Sequence, residues 1–367
     1  MRVLITGAKG FIGKNLSLFL KEQGKFSITE VDRDTPESEL NEALLNTDFV
    51  FHLAGVNRPK NESEFKEGNA DLTSYIVAIL KASGRKVPLM ISSSIQAVND
   101  NAYGASKAEA EKAVEAYGQE TGSPYFIYRF PNVFGKWCRP NYNSFVATFC
   151  HNILNDIEIN IHDPKAPVTL IYIDDVCKCL MALLQGNIPS GVANVTPEYS
   201  TTVGDVANTL KDFKGSRDSL ITENVGVGLD RALYSTYLSY MQPSQFSYII
   251  PSYGDERGVF SEVLKTKQAG QFSFFTAHPG ITRGGHYHHT KNEKFLVIKG
   301  KALFKFEHVI TGERYELCVD SETPEVVETV PGWSHDVTNV GSEELIVMLW
   351  ANEIFDRESP DTIAKPL

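Results

Sequence analysis

Short runs of consecutive apolar residues alternate with segments of helical spacing through the first half of the chain. The segments 3–6, 27–31, 49–55 and 88–92 read as strands, most of them buried on both faces, the third running into a turn. The segments 15–23, 64–83 and 105–122 carry helical spacing between or after them. Strands alternating with helices of that length predict a parallel, doubly wound α/β sheet of the Rossmann-like kind, with ligands at the carboxyl ends of the strands. After Pro243 the pattern changes. Short strand-like segments at 272–277, 295–298, 302–306, 326–330 and 345–349, separated by glycine turns, predict an all-β antiparallel double-sheet barrel. Two domains are therefore expected, 1–243 and 244–367, and a chain of 367 residues is long enough for each to bury a core.

Charge narrows the partners. A net charge of -11 leaves no basic footprint for nucleic acid or an anionic membrane, so an anionic ligand must be met locally. No apolar run reaches membrane-spanning length, and 345–351 is short enough to be a core strand. Met1-Arg2 leads straight into the first strand without a leader pattern, and five scattered cysteines fit a reducing compartment, so a cytoplasmic location is expected. Cys177 and Cys179, on a helix, point to different faces and do not read as a metal pair.

The first strand runs into Gly7-Ala8-Lys9-Gly10-Phe11-Ile12-Gly13 and then a helix. Glycines there allow a tight turn, close approach of the backbone to a pyrophosphate and packing of the helix, whose N-terminus faces the anion. Dinucleotide binding follows, although the spacing is Gly-x-x-Gly-x-x-Gly. The second strand ends at Asp32-Arg33, where the adenosine ribose is expected, and the third at Leu53-Ala54, also at the cofactor edge. Asp32 fits the ribose hydroxyls of NAD, whereas Arg33 and Lys9 fit the extra phosphate of NADP, which is the favoured cofactor. Tyr103 and Lys107 are four positions apart and share a helical face, so the lysine can favour proton loss from the phenol, as reduction of a ketone requires. That spacing also arises by chance. Ser92-Ser93-Ser94 closes the preceding strand, and Ser94 is the candidate to hold a substrate carbonyl. The stretch Gly135 to Ser144, with Trp137 and Arg139, reads either as a substrate loop or as a surface connection.

In the second domain His286 and His288 are spaced to share one strand face, with Glu293 and the distal His335 to follow. Three imidazoles and one carboxylate suit a borderline divalent ion, zinc above all; the alternative is a set of surface histidines.

Together, Gly7, Gly10, Gly13, the serine triplet, Tyr103, Lys107, Arg129-Phe130-Pro131-Asn132-Val133-Phe134-Gly135 and Tyr172-Ile173-Asp174-Asp175-Val176 resemble the extended short-chain dehydrogenase/reductase family acting on nucleotide sugars. The resemblance implies a catalytic triad of Ser94, Tyr103 and Lys107, with Lys107 also on the nicotinamide ribose. It also implies an active-site asparagine at Asn69 and substrate contacts from Arg129 and Asn132, beside the loop candidates Trp137 and Arg139. Where the family's dehydratases carry Asp-Glu this chain has Ile95-Gln96, which argues against elimination of water. The histidine segment resembles the cupin superfamily, although Pro331-Gly332 lacks the residue its second motif places between them. Gly254-Asp255-Glu256-Arg257-Gly258-Val259-Phe260-Ser261-Glu262 is similar to the opening of the nucleotide-sugar 3,5-epimerases, which commonly use a histidine and a tyrosine without metal. His286 as metal ligand and His286 as base both stand. A reductase joined to an epimerase-like cupin resembles the bifunctional enzymes of capsular and O-antigen polysaccharide synthesis, which implies a UDP-N-acetyl-sugar substrate, NADPH and a homodimer. One alternative is an epimerase that retains NAD beside a structural cupin; another is a ligand sensor built on a dinucleotide fold.

Overall fold

In the computed structural model, the described residues are all but 187, 251, 256–257, 262, 267–269 and 354–357, with backbone alone for 252–255, 258–261, 265, 271 and 273. Among them two compact units form, one from 1–134, 141–144 and 168–200, the other from 135–140, 145–167 and 201–367.

In the first unit the apolar runs become β1 (Arg2–Thr6), β2 (Ser27–Val31), β3 (Phe49–His52), β4 (Leu89–Ser94) and β5 (Tyr125–Phe130), joined by β6 (Gly191–Ala193). They form one parallel sheet in the order β2-β1-β3-β4-β5-β6. This is the doubly wound sheet expected. The chain leaves β1 toward β2 and returns to its other side at β3, so the switch point, where ligands bind, lies between the ends of β1 and β3. Four helices matter here: α1 (Phe11–Glu22), α2 (Glu37–Asn46), α3 (Leu72–Ala82) and α4 (Ala102–Thr121). Leu4, Val50, Leu89 and Ile127 of the sheet pack with Ile76 and Leu80 of α3 and Val114 and Tyr117 of α4 in one buried cluster. Each such aliphatic side chain removed from water is worth ~1.5–3 kcal/mol.

The helical spacing expected over 64–83 is interrupted. Residues Lys66–Asp71 form a π-helical turn, and Gly68 lets it close on Val56, since a Cβ there would lie 2.4 Å from a Val56 methyl. Asn69 inside that turn accepts the Val56 N–H and donates to the Val56 carbonyl, both at 3.0 Å.

The second unit holds helices α5 (Phe145–Leu154), α6 (Val203–Ser219) and α7 (Gly228–Leu238), which pack on one another, and the expected double-sheet barrel. Its strands are β7 (Ser247–Ile249), β8 (Gln271–Ala277), β9 (Thr282–Tyr287), β10 (Glu293–Lys299), β11 (Lys301–His308), β12 (Arg314–Asp320), β13 (Glu325–Glu328), β14 (Trp333–Asn339), β15 (Leu345–Ala351) and β16 (Ile363–Ala364). One sheet runs β7-β13-β10-β15-β8 and the other β12-β11-β14-β9-β16. The epimerase-like opening at 254–262 falls in part outside the described residues.

Glu328, at the end of β13, is buried and takes ion pairs from Lys294 of β10 and Arg217 of α6. Burial alone would raise its carboxyl, but the two cations hold it below the usual range. Glu328→Gln leaves both cations without a counter-charge and is expected to cost about 3–5 kcal/mol in urea unfolding. A loss under about 1 kcal/mol, as for a surface pair, would contradict that account.

Candidate active sites

At the switch point lies a cavity of about 650 Å³ whose walls include Gly7, Gly10, Asp32, Arg33, Leu53 and Ala54. Gly7 sits at φ 68, and a Cβ on it would come within 2.7 Å of the Ala54 nitrogen. Gly13 closes α1 onto the loop, 2.2 Å separating an added Cβ from the Gly7 carbonyl oxygen. Phe11 and Ile12 open α1, half-buried. The Asp32 carboxylate accepts the Lys9 N–H at 2.6 Å and the Arg33 N–H at 2.8 Å, which ties the glycine loop to the end of β2. Lys9 Nζ is paired with Asp34 at 3.1 Å on the surface. His52, at the end of β3, is buried between Thr6 (2.7 Å) and Thr73 (2.9 Å); burial, then the charge of Lys107, lowers it to about 3, so it is a neutral structural bridge.

Ser94 ends β4 and caps a 3-10 turn, its Oγ accepting the Gln96 N–H at 3.1 Å. Asn101 caps α4 through the Gly104 N–H at 2.8 Å, which places Tyr103 in the first turn. Gly104 permits this approach, because a Cβ there would lie 2.4 Å from the Asn99 carbonyl oxygen and 2.5 Å from that of Gln96. Burial raises the half-buried Tyr103 phenol above its ordinary value of 10, and the Ser94 hydroxyl works against that rise. The phenol is therefore protonated at neutral pH. Lys107, expected to act on the phenol, directs Nζ to the Ser92 carbonyl at 3.1 Å and lies beside Gly55, a wall residue of the cavity. Burial lowers its ammonium to about 8, with Glu111 opposing. Asn69 donates to Ser106 Oγ at 3.1 Å, and Ser106 donates to the Tyr103 carbonyl at 2.8 Å, so the asparagine braces the same helical turn.

Of the four expected substrate contacts, Arg129 and Asn132 lie in the first unit and Trp137 and Arg139 in the second. Arg129 makes a two-pronged pair with buried Glu111, at 2.9 and 2.6 Å, and Ser93 donates to the same carboxylate at 2.5 Å. Glu111 stands four positions beyond Lys107, a spacing that sequence reasoning passed over. Exposed Asn132 donates to the Thr169 carbonyl at 3.2 Å. Trp137 belongs to the second unit, at φ 68, and donates through Nε1 to His308 Nε2 at 3.1 Å; Arg139 is in the same unit, exposed.

In the barrel, His286 of β9, His288 just beyond it, Glu293 at the start of β10 and His335 of β14 bring one ligand atom each within 4.8 Å of one another. The strands β9 and β14 pair with His286 opposite His335, after a bulge at Gly284 and Gly285. Glu293 Oε2 lies 3.3 Å from His288 Nε2 and 3.5 Å from His335 Nε2, while Lys291 Nζ is 2.9 Å from Oε1. Burial would raise the Glu293 carboxyl, but hydrogen bonds from His288 and His335 hold it well below the usual range. Burial, then the neighbouring imidazoles, lowers His286 to about 4. Three imidazoles around a buried carboxylate are the donor set of a borderline divalent ion, so the residues fit the zinc expected. Among the described residues no helix is long and apolar enough to cross a membrane.

This chain belongs to the NAD dependent epimerase/dehydratase family, which its residues 3–195 match, and residues 253–363 match the polysaccharide biosynthesis C-terminal domain. Membership implies an NAD(P) cofactor, and the cavity at the glycine loop fits one. More particularly, the chain is 54% identical over 365 residues to the UDP-2-acetamido-2,6-beta-L-arabino-hexul-4-ose reductase of Pseudomonas aeruginosa, covering 99% of this chain and 98% of that one. The capsular polysaccharide assembling protein CapF from Staphylococcus aureus superposes with a TM-score of 0.69 at 41% identity, each chain covered over 100%. A dTDP-D-glucose 4,6-dehydratase of Dictyostelium discoideum is 26% identical over 267 residues, 57% of this chain and 61% of its own.

Proposed function

We propose that the protein is a two-step nucleotide-sugar enzyme. Residues 244–367 invert C3 of a UDP-2-acetamido-2,6-dideoxy-hexos-4-ulose. Residues 1–243 then reduce the C4 ketone with NADPH to UDP-2-acetamido-2,6-dideoxy-beta-L-talose, the precursor of UDP-N-acetyl-L-fucosamine for capsule or O-antigen. The observation that carries this reading is a protonated Tyr103 beside Ser94, with Lys107 against the wall of the dinucleotide cavity, in a chain that also holds the His/Glu cluster. The identity to a hexulose reductase supports the substrate class.

The order of steps follows from the substrate. A C4 ketone acidifies the C3 proton, so inversion through an enolate must precede reduction, which removes that ketone. A divalent ion bound at the cluster supplies electrophilic stabilisation of negative charge. A reduced nicotinamide supplies the hydride for C4. Ser94 Oγ orients the carbonyl, Tyr103 gives its proton to the C4 oxygen, and Lys107 holds the ribose.

Incubation with NADPH and the 4-keto-6-deoxy UDP-N-acetylhexosamine in D₂O tests the reading by NMR. The expected product carries deuterium at C3 and consumes one NADPH per turnover. Product with protium at C3, or turnover without net NADPH loss, overturns it.

Two further results are expected. Because Lys107 loses its charge as pH rises through about 8, kcat/KM for reduction should fall above that pH, and a profile flat to pH 9.5 would contradict the role. The Asp32 carboxylate is already engaged by two backbone N–H groups, leaving Arg33 to face the extra phosphate of NADP. Arg33→Ala should therefore lower the preference for NADPH over NADH about tenfold, the worth of one charge-assisted hydrogen bond (~1.5 kcal/mol). Equal kcat/KM ratios for both cofactors in variant and parent would remove Arg33 from that role.

A further inference from the structure

Residues 361–365 run along the edge of the His/Glu cluster. Asp361 receives the N–H groups of His289 (2.9 Å), Thr290 (2.6 Å) and Lys291 (2.7 Å) and the Thr290 hydroxyl (3.0 Å) on its carboxylate. These donors form the turn that links His288 to Glu293. The Asp361 main-chain carbonyl meets His288 Nδ1. Beyond it β16 pairs with β9, Ala364 opposite His286, while Lys365 donates its N–H to the Gly285 carbonyl at 2.8 Å and accepts the Ser334 hydroxyl at 2.5 Å, next to His335. Four of these five residues thus touch the neighbourhood of three of the four ligand residues.

A carbonyl oxygen can only accept. His288 therefore donates from Nδ1 in this arrangement, and Nε2, the nitrogen that faces Glu293, is the one left to bind an ion. The carboxylate fixes the 289–291 turn and the carbonyl of the same residue fixes the ring. We propose that Asp361 is a positioning residue of the metal centre, which sets the tautomer and orientation of His288 and so presents Nε2 for a divalent ion. This rests on the metal reading above, and goes beyond the four ligands to the C-terminal strand that orients them.

The test uses full-length protein labelled with ¹⁵N-histidine, stripped of metal by chelator, as parent, Asp361→Ala and Asp361→Asn. In the parent, His288 is expected as the Nδ1-protonated tautomer, and in Asp361→Ala as a mixture of both. Zn²⁺ affinity, read by competition with a chromophoric chelator, should fall about 10–100-fold in Asp361→Ala, the usual cost of losing a partner that orients a ligand, and less in Asp361→Asn, which keeps an acceptor oxygen. A purely structural Asp361 would lower the melting temperature and leave the tautomer alone. Folded Asp361→Ala with parental tautomer and affinity within about twofold overturns the proposal. Should the alanine variant not fold, Asp361→Asn decides by the same two readouts: a parental tautomer and affinity there overturn the proposal as well. Parent protein that binds no Zn²⁺ overturns the metal reading alone, since the tautomer is measured on stripped protein.

Discussion

Tyr103→Phe is expected to lower NADPH-dependent reduction about 10²–10⁴-fold, the usual worth of a positioned proton donor, while solvent deuterium continues to enter C3. The phenol is the protonated group of the pair, since burial raises it, and Ser94 is the hydroxyl set against it. Phenylalanine keeps the ring and its contact with Phe65, at 5.5 Å between centroids, so the first turn of α4 should be undisturbed. NADPH binding, measured by fluorescence titration, should change little. Reduction that survives within about tenfold would mean that another group protonates C4, and the assignment of Tyr103 would fall.

His288→Ala should act on the other half of the chemistry. Four ligands holding zinc supply ~10–16 kcal/mol in all, so loss of one is expected to weaken the ion about 10²–10³-fold. Exchange of C3 hydrogen should fall with it, whereas reduction of substrate already inverted at C3 should proceed at the parental rate. Chelation of the parent should reproduce both results and added Zn²⁺ should reverse them. Full C3 exchange in the variant would point to a base that works without the ion.

What the chain reveals locally is legible in advance, and what depends on distant partners is not. The apolar runs gave the central strands because a parallel sheet buries both faces, and the glycine loop was readable because Gly13 serves a contact within one strand-loop-helix unit, whereas Gly7 also answers to Ala54, forty-seven positions on. The His/Glu grouping was legible too, since three of its four residues lie within eight positions, on two consecutive strands and the turn between them. Arg129 was less transparent, because its partner Glu111 approaches it from α4 and nothing near Arg129 announces it. Trp137 read as a loop residue until His308, more than a hundred positions away, supplied its hydrogen bond. Helical spacing likewise shows an apolar face without naming the surface it meets, and so did not place α5, α6 and α7 in the same unit as the barrel. Asp361 was invisible for the plainest reason: an aspartate in a polar tail has no local pattern that marks it.

The path of the backbone between the two units has a practical result. It passes from one to the other at 134/135, 140/141, 144/145, 167/168 and 200/201, five junctions in all. A single cut at 243/244 would keep α5, α6 and α7 together but part Arg217 of α6 from Glu328 and Ser235 of α7 from Thr290. Chimaeras that exchange one unit among homologues therefore require five matched splices rather than one.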